Sequence, residues 1–295
     1  MESINGLHDT PLVSVVMINW NRKEILRKTL LKLREQTYSK YEIIIADNGS
    51  SDGAARMIET EFSEVVLIEL QENVGIEGYN IAFEKSSGEI VVILDNDSFL
   101  EPEGIAKIVR KFRQYPKLGA LGCKVLYYDS GETHHWHPAV RVEEGPAEGF
   151  DAPLFNGCAA AARRSVIEKV GFYPPEYFLY ENERDFCTRI INAGYDVKYF
   201  TDIVGFHMVS REGRSNERLI FFATRNRIWY LWKYMPFGIA LWKSFTILVY
   251  NLFSAAKNMQ LMIYLRPFFY AIKGLPEIIK NRTPIKKEYI HKALY

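Results

Sequence analysis

Two aspartates one residue apart follow an apolar run in the first third of the chain. Asp95 and Asp97 come directly after residues 90–94, a β-branched apolar run typical of a strand buried on both faces of a parallel sheet. In an extended chain, residues i and i+2 point to the same side, so both carboxylates can bind one hard cation such as Mg²⁺ or Mn²⁺. Such a cation would hold a nucleotide diphosphate at the strand end. The alternative is an ordinary Asp-Asn-Asp turn before the next helix.

Polar residues also follow the other strands predicted in the first hundred residues. The carboxyl ends of parallel strands share one edge of a sheet, so these residues would line one crevice. There Asp47 would accept hydrogen bonds from a base or from ribose hydroxyls, and Trp20 would offer an apolar platform. Each cluster alone is better explained as a turn with a helix cap, but together they favour a nucleotide pocket. The predicted nucleotide-binding residues are Asn19, Trp20, Asn21, Asp47, Asn73, Gly75, Asp95 and Asn96.

The elements that would position these residues follow an alternating pattern. From residue 12 to about residue 200, short apolar runs alternate with amphipathic stretches, which predicts βαβ units in a doubly wound, largely parallel α/β sheet. The second half is less regular, and its polar loop is long enough to be a lid. Strands are expected at 13–18, 42–46, 65–70, 90–94 and about 120–127, helices at 25–33, 54–62, 79–85 and from about 165 and 183, with the loop at 129–149 and a further segment at 155–163.

The last third of the chain changes in character. A largely helical region is predicted from residue 216 to residue 295, separate from a catalytic region at 1–215, and it is crowded with aromatic residues. The apolar run 237–253 contains Lys243 and Asn251 and is short for a membrane-spanning helix, so we expect a helix that lies on a membrane surface. Packing on the catalytic region or in a homodimer explains the aromatic residues equally well.

Composition excludes several classes of protein. With 295 residues, a hydrophobic fraction of 48% and a formal net charge of +1, the chain can bury a large core and has no bulk attraction to nucleic acid. Its three cysteines form no C-x-x-C pair, which argues against a disulfide scaffold and indicates a reducing compartment. The first residues do not resemble a secretory signal, so we expect the site to face the cytosol, either free or at the inner face of the membrane.

Over residues 11–215 the chain resembles the family 2 glycosyltransferases, which have a GT-A fold with a Rossmann-like mixed sheet. The resemblance is carried, in order, by VSVVMINWN, YEIIIADNGSSDG, ENVGIEGYNIAF, GEIVVILDND, the run from FNGCAAAARRS to YENERDF, and GFH. It implies transfer of a sugar from a nucleotide diphosphate-sugar, with a divalent metal as cofactor. The segment that begins Arg225-Asn226 is similar to one in rhamnosyltransferase-like bacterial members, which implies transfer of a single sugar.

The resemblance also implies roles for individual residues. A base must take the proton of the acceptor hydroxyl, and the family position for that base falls on Glu183, with Asp185 as the competitor. Asp97 would ligate the metal directly, while Asp95 would bond the ribose or a metal-bound water. His207 matches a position near the metal, although a histidine after a strand is as often structural. Arg211 and Arg214 could close over phosphates.

The remaining histidines and cysteines are expected to be uninvolved in catalysis. His134, His135 and His137 lack the ligand spacing of a zinc site, and we expect them to contact the acceptor or to have no role in the site. Cys158 and Cys187 lie in apolar segments and are predicted to be core residues.

The sequence thus predicts an inverting, non-processive glycosyltransferase. It would move one sugar from a nucleotide diphosphate-sugar, UDP or dTDP by preference, to a hydroxyl of a glycan or lipid-linked acceptor. A sugar nucleotidyltransferase is the second hypothesis, although no Gly-rich triphosphate loop follows the first strand. The third is a non-catalytic, membrane-attached binding subunit, which is supported only by the departure at Asn182-Glu183 from the usual Glu-Asp pair.

Overall fold

The computed structural model describes residues 7–134, 145–146, 148–208 and 215–293. The strands in these residues are β1 (Val13–Asn19), β2 (Tyr41–Asp47), β3 (Val65–Glu69), β4 (Ile90–Ile93), β5 (Ser98–Leu100), β6 (Leu118–Tyr127), β7 (Phe150–Asp151), β8 (Ala160–Arg163) and β9 (Asp196–His207). The helices are α1 (Lys23–Leu33), α2 (Ala54–Glu61), α3 (Glu77–Lys85), α4 (Gly104–Gln114), α5 (Arg164–Val170), α6 (Asn182–Asn192), α7 (Asn216–Tyr234), α8 (Phe237–Asn258), α9 (Leu261–Lys280) and α10 (Ile290–Ala293), with short 3-10 turns at Pro175–Tyr177 and Lys287–Tyr289.

The described strands form one mixed sheet in the order β3-β2-β1-β4-β8-β6-β9-β5, and β7 pairs with β9. The first four strands lie close to the predicted positions, and β1 pairs in parallel with both β2 and β4. The residues of β1 and β4 are buried on both faces of the sheet, which is why these two strands are continuous apolar runs, whereas the edge strand β3 is partly exposed. Residues Asn19 and Asp47 are paired at the end of the β1–β2 ladder, so the polar strand ends do meet at one edge.

The second half of the sheet changes direction at β8. This strand is antiparallel to both β4 and β6, whereas β6 and β9 are parallel to each other. The predicted segment 155–163 is a strand only over Ala160–Arg163, and the helices predicted from about 165 and 183 begin at Arg164 and Asn182. The predicted loop 129–149 lies mostly outside the described residues.

The sheet separates two hydrophobic clusters. Alternation along β1 sends Val15 and Met17 into the cluster that α1, α2 and α4 cover, while Val16 belongs to the cluster on the other face. The second cluster contains residues of α3, α5 and α6, and it also contains Trp229 of α7 and Ala271 of α9. The C-terminal helices therefore complete the core on one face of the sheet, which accounts for part of their aromatic content.

Helix α8 differs from the other helices in the described part of the chain. Among the described helices, only α8 is long and apolar enough to be a candidate membrane span, and few of its residues are buried in the protein. Its exposed side chains are apolar along much of its length, as are several on α9.

Candidate active site

The ends of β1, β2 and β4 are joined by a buried hydrogen-bond network. Asn19 donates from Nδ2 to Oδ2 of Asp47 over 2.8 Å and accepts at Oδ1 from Nδ2 of Asn96, also over 2.8 Å. The second carboxylate oxygen of Asp47 accepts from the backbone N–H of Ser50 at 2.7 Å. These bonds fix the side chains of three predicted nucleotide-binding residues, which lie side by side as expected from parallel strands.

Asn21 and Trp20 lie at the rim of this crevice. Asn21 has a left-handed backbone with φ of 51°, and its side chain accepts from the backbone N–H of Ser51 over 2.7 Å. Trp20 is 37% exposed, and the guanidinium of Arg218, in the first turn of α7, lies 5.7 Å from the centre of its ring. The ring is therefore an accessible flat surface that α7 partly covers.

Gly75 occupies a position that no other residue could take without strain. Its φ is +65°, and a Cβ here would clash with the carbonyl oxygen of Phe178. Asn73 closes the turn by accepting from the N–H of Gly75 over 2.9 Å, and Asn48 donates to the Gly75 carbonyl over 3.1 Å. Asn73 and Gly75 thus shape the third strand end and hold it against the segment that leads into α6.

Asp95 and Asp97 lie just beyond β4, and His207 ends β9. One ligand atom from each of the three lies within 4.8 Å of the others, which is a suitable arrangement for one cation. His207 Nε2 is 3.2 Å from Asp97 Oδ1. Antiparallel pairing of β5 with β9 brings Ser98 opposite His207, and this pairing places the histidine beside the acidic motif. The three predicted metal ligands therefore lie together.

Two side chains that sequence reasoning did not select contact the acidic motif. Arg22 Nη1 lies 2.7 Å from Asp97 Oδ2, and the Tyr79 hydroxyl donates to Asp95 Oδ1 over 3.0 Å. Arg22 directly follows the first strand-end cluster, so its position along the chain is a usable signal. Tyr79 lies on α3 and its role depends on how that helix packs, which the sequence does not reveal.

His134 and Cys158 approach the same histidine. His134, Cys158 and His207 can also place one ligand atom each within 4.8 Å of one another. Burial, reinforced by Asp95 and Asp97, raises the pKa of the Cys158 thiol well above its ordinary value, so the protonated form, which is a poor metal ligand, is favoured. Cys158 and Cys187 are both buried, as predicted for core residues. His135, His137, Arg211 and Arg214 lie outside the described residues.

Glu183 lies in the first turn of α6, close enough to Asp95 for the charge of that carboxylate to act on it. Burial, with a further contribution from the charge of Asp95, raises the pKa of Glu183 to about 7. Its carboxylate lies against Gly157, where an added Cβ would be only 2.6 Å from Oε1. A carboxylate with a pKa near neutrality, next to a candidate metal site, is suited to accept a proton.

The chain that leads into α6 has an unusual backbone. Phe178, Tyr180 and Glu181 have φ values of 62°, 65° and 63°, in the region that favours glycine. Asn226 of α7 stabilises this turn, because its buried side-chain amide donates to the carbonyls of Tyr177, Leu179 and Tyr180 over 2.9, 2.6 and 3.0 Å. Asn226 therefore positions the turn that presents Glu183, a role not predicted from the sequence.

Asp185 has a different environment from Glu183. It is fully buried, with Arg189 Nε 2.7 Å from Oδ1 and both Lys233 Nζ and the Tyr234 hydroxyl 2.9 Å from Oδ2. Burial alone would raise the pKa of Asp185, but the charges of Arg189 and Lys233 outweigh it, and the pKa is lowered. The side chain joins α6 to α7, and an ion pair of this kind makes a poor proton acceptor.

A groove of about 390 Å³ opens beside the start of α6. Glu181 lies at its edge, where Arg184 Nε and Arg227 Nη1 are 2.7 and 3.3 Å from its Oε2. The walls combine apolar and polar side chains of the three long C-terminal helices. They are formed by Leu219, Ile220, Ala223, Thr224, Arg227, Ile247, Tyr250, Asn251, Ser254 and Tyr264.

A mixed sheet of this topology, with an acidic pair at the end of its fourth strand, defines the class of GT-A glycosyltransferases. The structure superposes on the mannosyltransferase PcManGT from Pyrobaculum calidifontis, solved with GDP-Man and Mn²⁺, with a TM-score of 0.62. The alignment has 23% identity and covers 89% of this chain and 75% of the other. Residues 14–171 match the model of glycosyl transferase family 2, and the chain belongs to that family.

Two curated relatives extend the comparison. Glycosyltransferase AglE of Haloferax volcanii is 28% identical over 208 residues, which are 67% of this chain and 67% of AglE. The uncharacterized glycosyltransferase YfnE of Bacillus subtilis is 32% identical over 205 residues, 66% of this chain and 49% of YfnE. The match thus spans only about half of YfnE. The family and the GT-A fold expected from the sequence are confirmed, whereas the rhamnosyltransferase-like subtype stays a prediction.

Proposed function

We propose that this chain is an inverting, non-processive glycosyltransferase that moves one sugar from a nucleotide diphosphate-sugar to an acceptor hydroxyl. One observation carries the proposal. Glu183, with its pKa raised to about 7, lies close enough to Asp95 to be influenced by its charge, and Asp95, Asp97 and His207 are close enough together to hold one cation. This proximity supports a proton acceptor next to a site for a diphosphate.

The donor would bind along the strand ends. Asp47 is fixed by Asn19 and Ser50, so it is preorganised to accept hydrogen bonds from a base or ribose hydroxyl, and Trp20 is exposed beside it. UDP and dTDP stay the preferred nucleotides by family resemblance. PcManGT was solved with GDP-Man, so a guanine nucleotide is the natural comparison in any binding test.

The residues of the acidic motif fit a divalent cation. Two carboxylates and one imidazole provide the oxygen and nitrogen atoms that Mn²⁺ accepts, and carboxylates with water suit Mg²⁺. Asp97 is the proposed direct ligand, with Asp95 and His207 beside it. A bound cation would neutralise the negative charge that develops on the departing diphosphate. Arg22, paired with Asp97, adds a fixed positive charge at the same place.

Glu183 would act as the base. Its carboxylate takes the proton of the acceptor hydroxyl while that oxygen forms a bond to the anomeric carbon and the bond to the diphosphate breaks. The attack comes from the side opposite the leaving group, so the anomeric configuration inverts. Asp185 does not compete for this role in the proposal, because Arg189 and Lys233 hold it as an ion pair.

The acceptor would approach from the groove beside Glu181. This groove adjoins the turn that presents Glu183, and its walls combine apolar side chains with Asn251, Thr224 and Ser254. Such a lining suits a glycan or a lipid-linked glycan, which are the two acceptor classes that the sequence predicts. The proposed location is the cytoplasm or the inner face of the membrane.

Nucleotide protection against thermal unfolding tests the proposal. UDP, dTDP and GDP would be added with and without Mn²⁺ or Mg²⁺. At a ligand concentration near 100 times Kd the native state gains about 2.7 kcal/mol, which raises Tm by about 5 °C. Asp97→Ala should abolish the metal-dependent part of the rise, whereas Asp9→Ala, a change at an exposed aspartate outside the site, should not. A folded protein that no diphosphate stabilises would contradict the proposal.

A further inference from the structure

Helices α8 and α9 expose large apolar side chains to solvent. Phe253 is 73% exposed, Trp242 and Leu241 are each 63% exposed, and Phe269 is 67% exposed. Eleven of these side chains form what we call the outer face. It consists of Leu241, Trp242, Phe245, Val249, Leu252 and Phe253 on α8 and of Leu261, Met262, Phe269, Ile272 and Ile279 on α9. Soluble monomers rarely expose a contiguous apolar surface of this extent without a partner.

The outer face forms one stripe on each helix. At 100° per residue, the members on α8 lie within roughly 120° of one another around the helix, and those on α9 lie within roughly 100°. Exposed basic residues flank both stripes on one side. Lys243 and Lys257 flank the stripe of α8, and Arg266, Lys273 and Lys280 flank that of α9.

The opposite sides of both helices are attached to α7. Trp232 donates from Nε1 to Ser244 Oγ of α8 over 3.1 Å, and Trp229 donates from Nε1 to the Ala271 carbonyl of α9 over 3.0 Å. Ser244 and Ala271 lie outside the two stripes, on the sides of their helices that contact α7. Both stripes therefore face away from the catalytic region, and no described residue of this chain covers them.

Charge indicates what covers the outer face. Residues 237–280 contain the five basic residues named above and a single acidic residue, Glu277. In a two-fold contact with a second copy, the same surface would meet itself, so Glu277 would be the only acidic residue of 237–280 available to pair with the basic flanks. A surface with negative charge at its boundary and an apolar interior complements both parts of the face.

We propose that the outer face binds the surface of an anionic lipid bilayer. The aromatic and aliphatic side chains enter the boundary between headgroups and acyl chains, and the flanking lysines contact anionic headgroups. Although α8 is long and apolar enough to be a candidate span, its inner side is hydrogen-bonded to α7, and α7 is bonded to the turn before α6. The helix therefore lies along the membrane surface.

Co-sedimentation of the purified full chain with vesicles tests this proposal. Binding is expected to vesicles of phosphatidylcholine mixed with phosphatidylglycerol, and much less to phosphatidylcholine alone. Trp242→Ser combined with Phe253→Ser should weaken binding about 100-fold, because two large side chains no longer leave water. Lys243→Ala combined with Lys257→Ala should weaken it about 20-fold at low salt, through lost contact with headgroups.

A matched pair of variants separates the outer face from general surface hydrophobicity. Leu241→Ser removes an exposed leucine of α8, and Leu31→Ser removes one that is 47% exposed on α1. Both side chains are on helix surfaces, so both variants should fold. Only Leu241→Ser should weaken vesicle binding, by about tenfold.

Three results would overturn the proposal. The first is absence of binding to anionic vesicles by folded protein. The second is a dimer in sedimentation velocity without lipid that Trp242→Ser with Phe253→Ser dissociates, which would assign the face to a second copy. The third is binding that resists alkaline carbonate and does not depend on lipid charge, which would show that α8 spans the bilayer.

Discussion

Replacing Glu183 with glutamine is expected to stabilise the protein and to inactivate it. Burial and Asp95 raise the pKa of Glu183 from its ordinary value of 4.5 to about 7. The native state therefore binds a proton more tightly than the unfolded chain does. The stability that this proton provides is complete below about pH 4.5 and is lost as the pH rises through about 7.

The size of the effect follows from the difference between the two pKa values. Between about pH 5 and about pH 8, the ionisation of Glu183 costs the native state about 2.5 kcal/mol. Glutamine keeps the size of the side chain and never ionises. Relative to wild type, Glu183→Gln should therefore gain about 2.5 kcal/mol of unfolding free energy over that range.

Activity should change in the opposite direction. The base must be deprotonated, so the wild-type rate of sugar transfer should rise with pH and level off above about 7. Glu183→Gln should lose this rising limb of the pH profile, and its kcat should fall by about 10²- to 10⁴-fold. Urea unfolding at about pH 5 and about pH 8 would be combined with a pH profile of sugar transfer. Glu59→Gln, on the exposed side of α2, is the control that should change neither. A pH-independent stability difference, or a limb that survives in Glu183→Gln, would refute the reasoning.

Two other substitutions test neighbouring parts of the site. Asp185→Asn should lower the unfolding free energy by about 3 kcal/mol, because Arg189 and Lys233 lose their buried partner. The folded fraction should keep the rise of activity with pH, and loss of that rise would instead identify Asp185 as the base. Gly75→Ala should lower the unfolding free energy by about 3 kcal/mol, because the added Cβ clashes with Phe178. Gly131 has a similar φ but open space around it, so Gly131→Ala should lower the unfolding free energy by only about 1 kcal/mol. Equal losses in urea unfolding would contradict the clash.

Most of the first half of the fold was predictable because β1, β2 and β4 are buried on both faces. Such a strand must be a continuous apolar run, and it must end where polar residues begin, so β1, β2 and β4 are marked in the sequence at both ends. Parallel pairing then brings those polar ends together without further information. The crevice that contains Asn19, Asp47 and Asn96 follows directly.

The second half was less predictable because its pairing is long-range. β8 reads Ala-Ala-Ala-Arg, a composition that does not favour a strand, and it exists because β4 and β6 bond to it from both sides. Strands β5 and β7 have three and two residues and leave no periodic signal. The position of His207 beside Asp97 depends on β5 and could be expected only from family resemblance.

The proposed division of the chain at residues 215 and 216 marks a change of composition, while the packing continues across it. Asn226 holds the left-handed turn from Phe178 to Glu181, and Lys233 and Tyr234 bind Asp185. A turn with several residues at positive φ costs free energy, so it persists only where its surroundings compensate. Because α7 supplies those hydrogen bonds, the orientation of Glu183 depends on the helical region. The same helix anchors the outer face, so one element connects the proposed base to the proposed membrane surface.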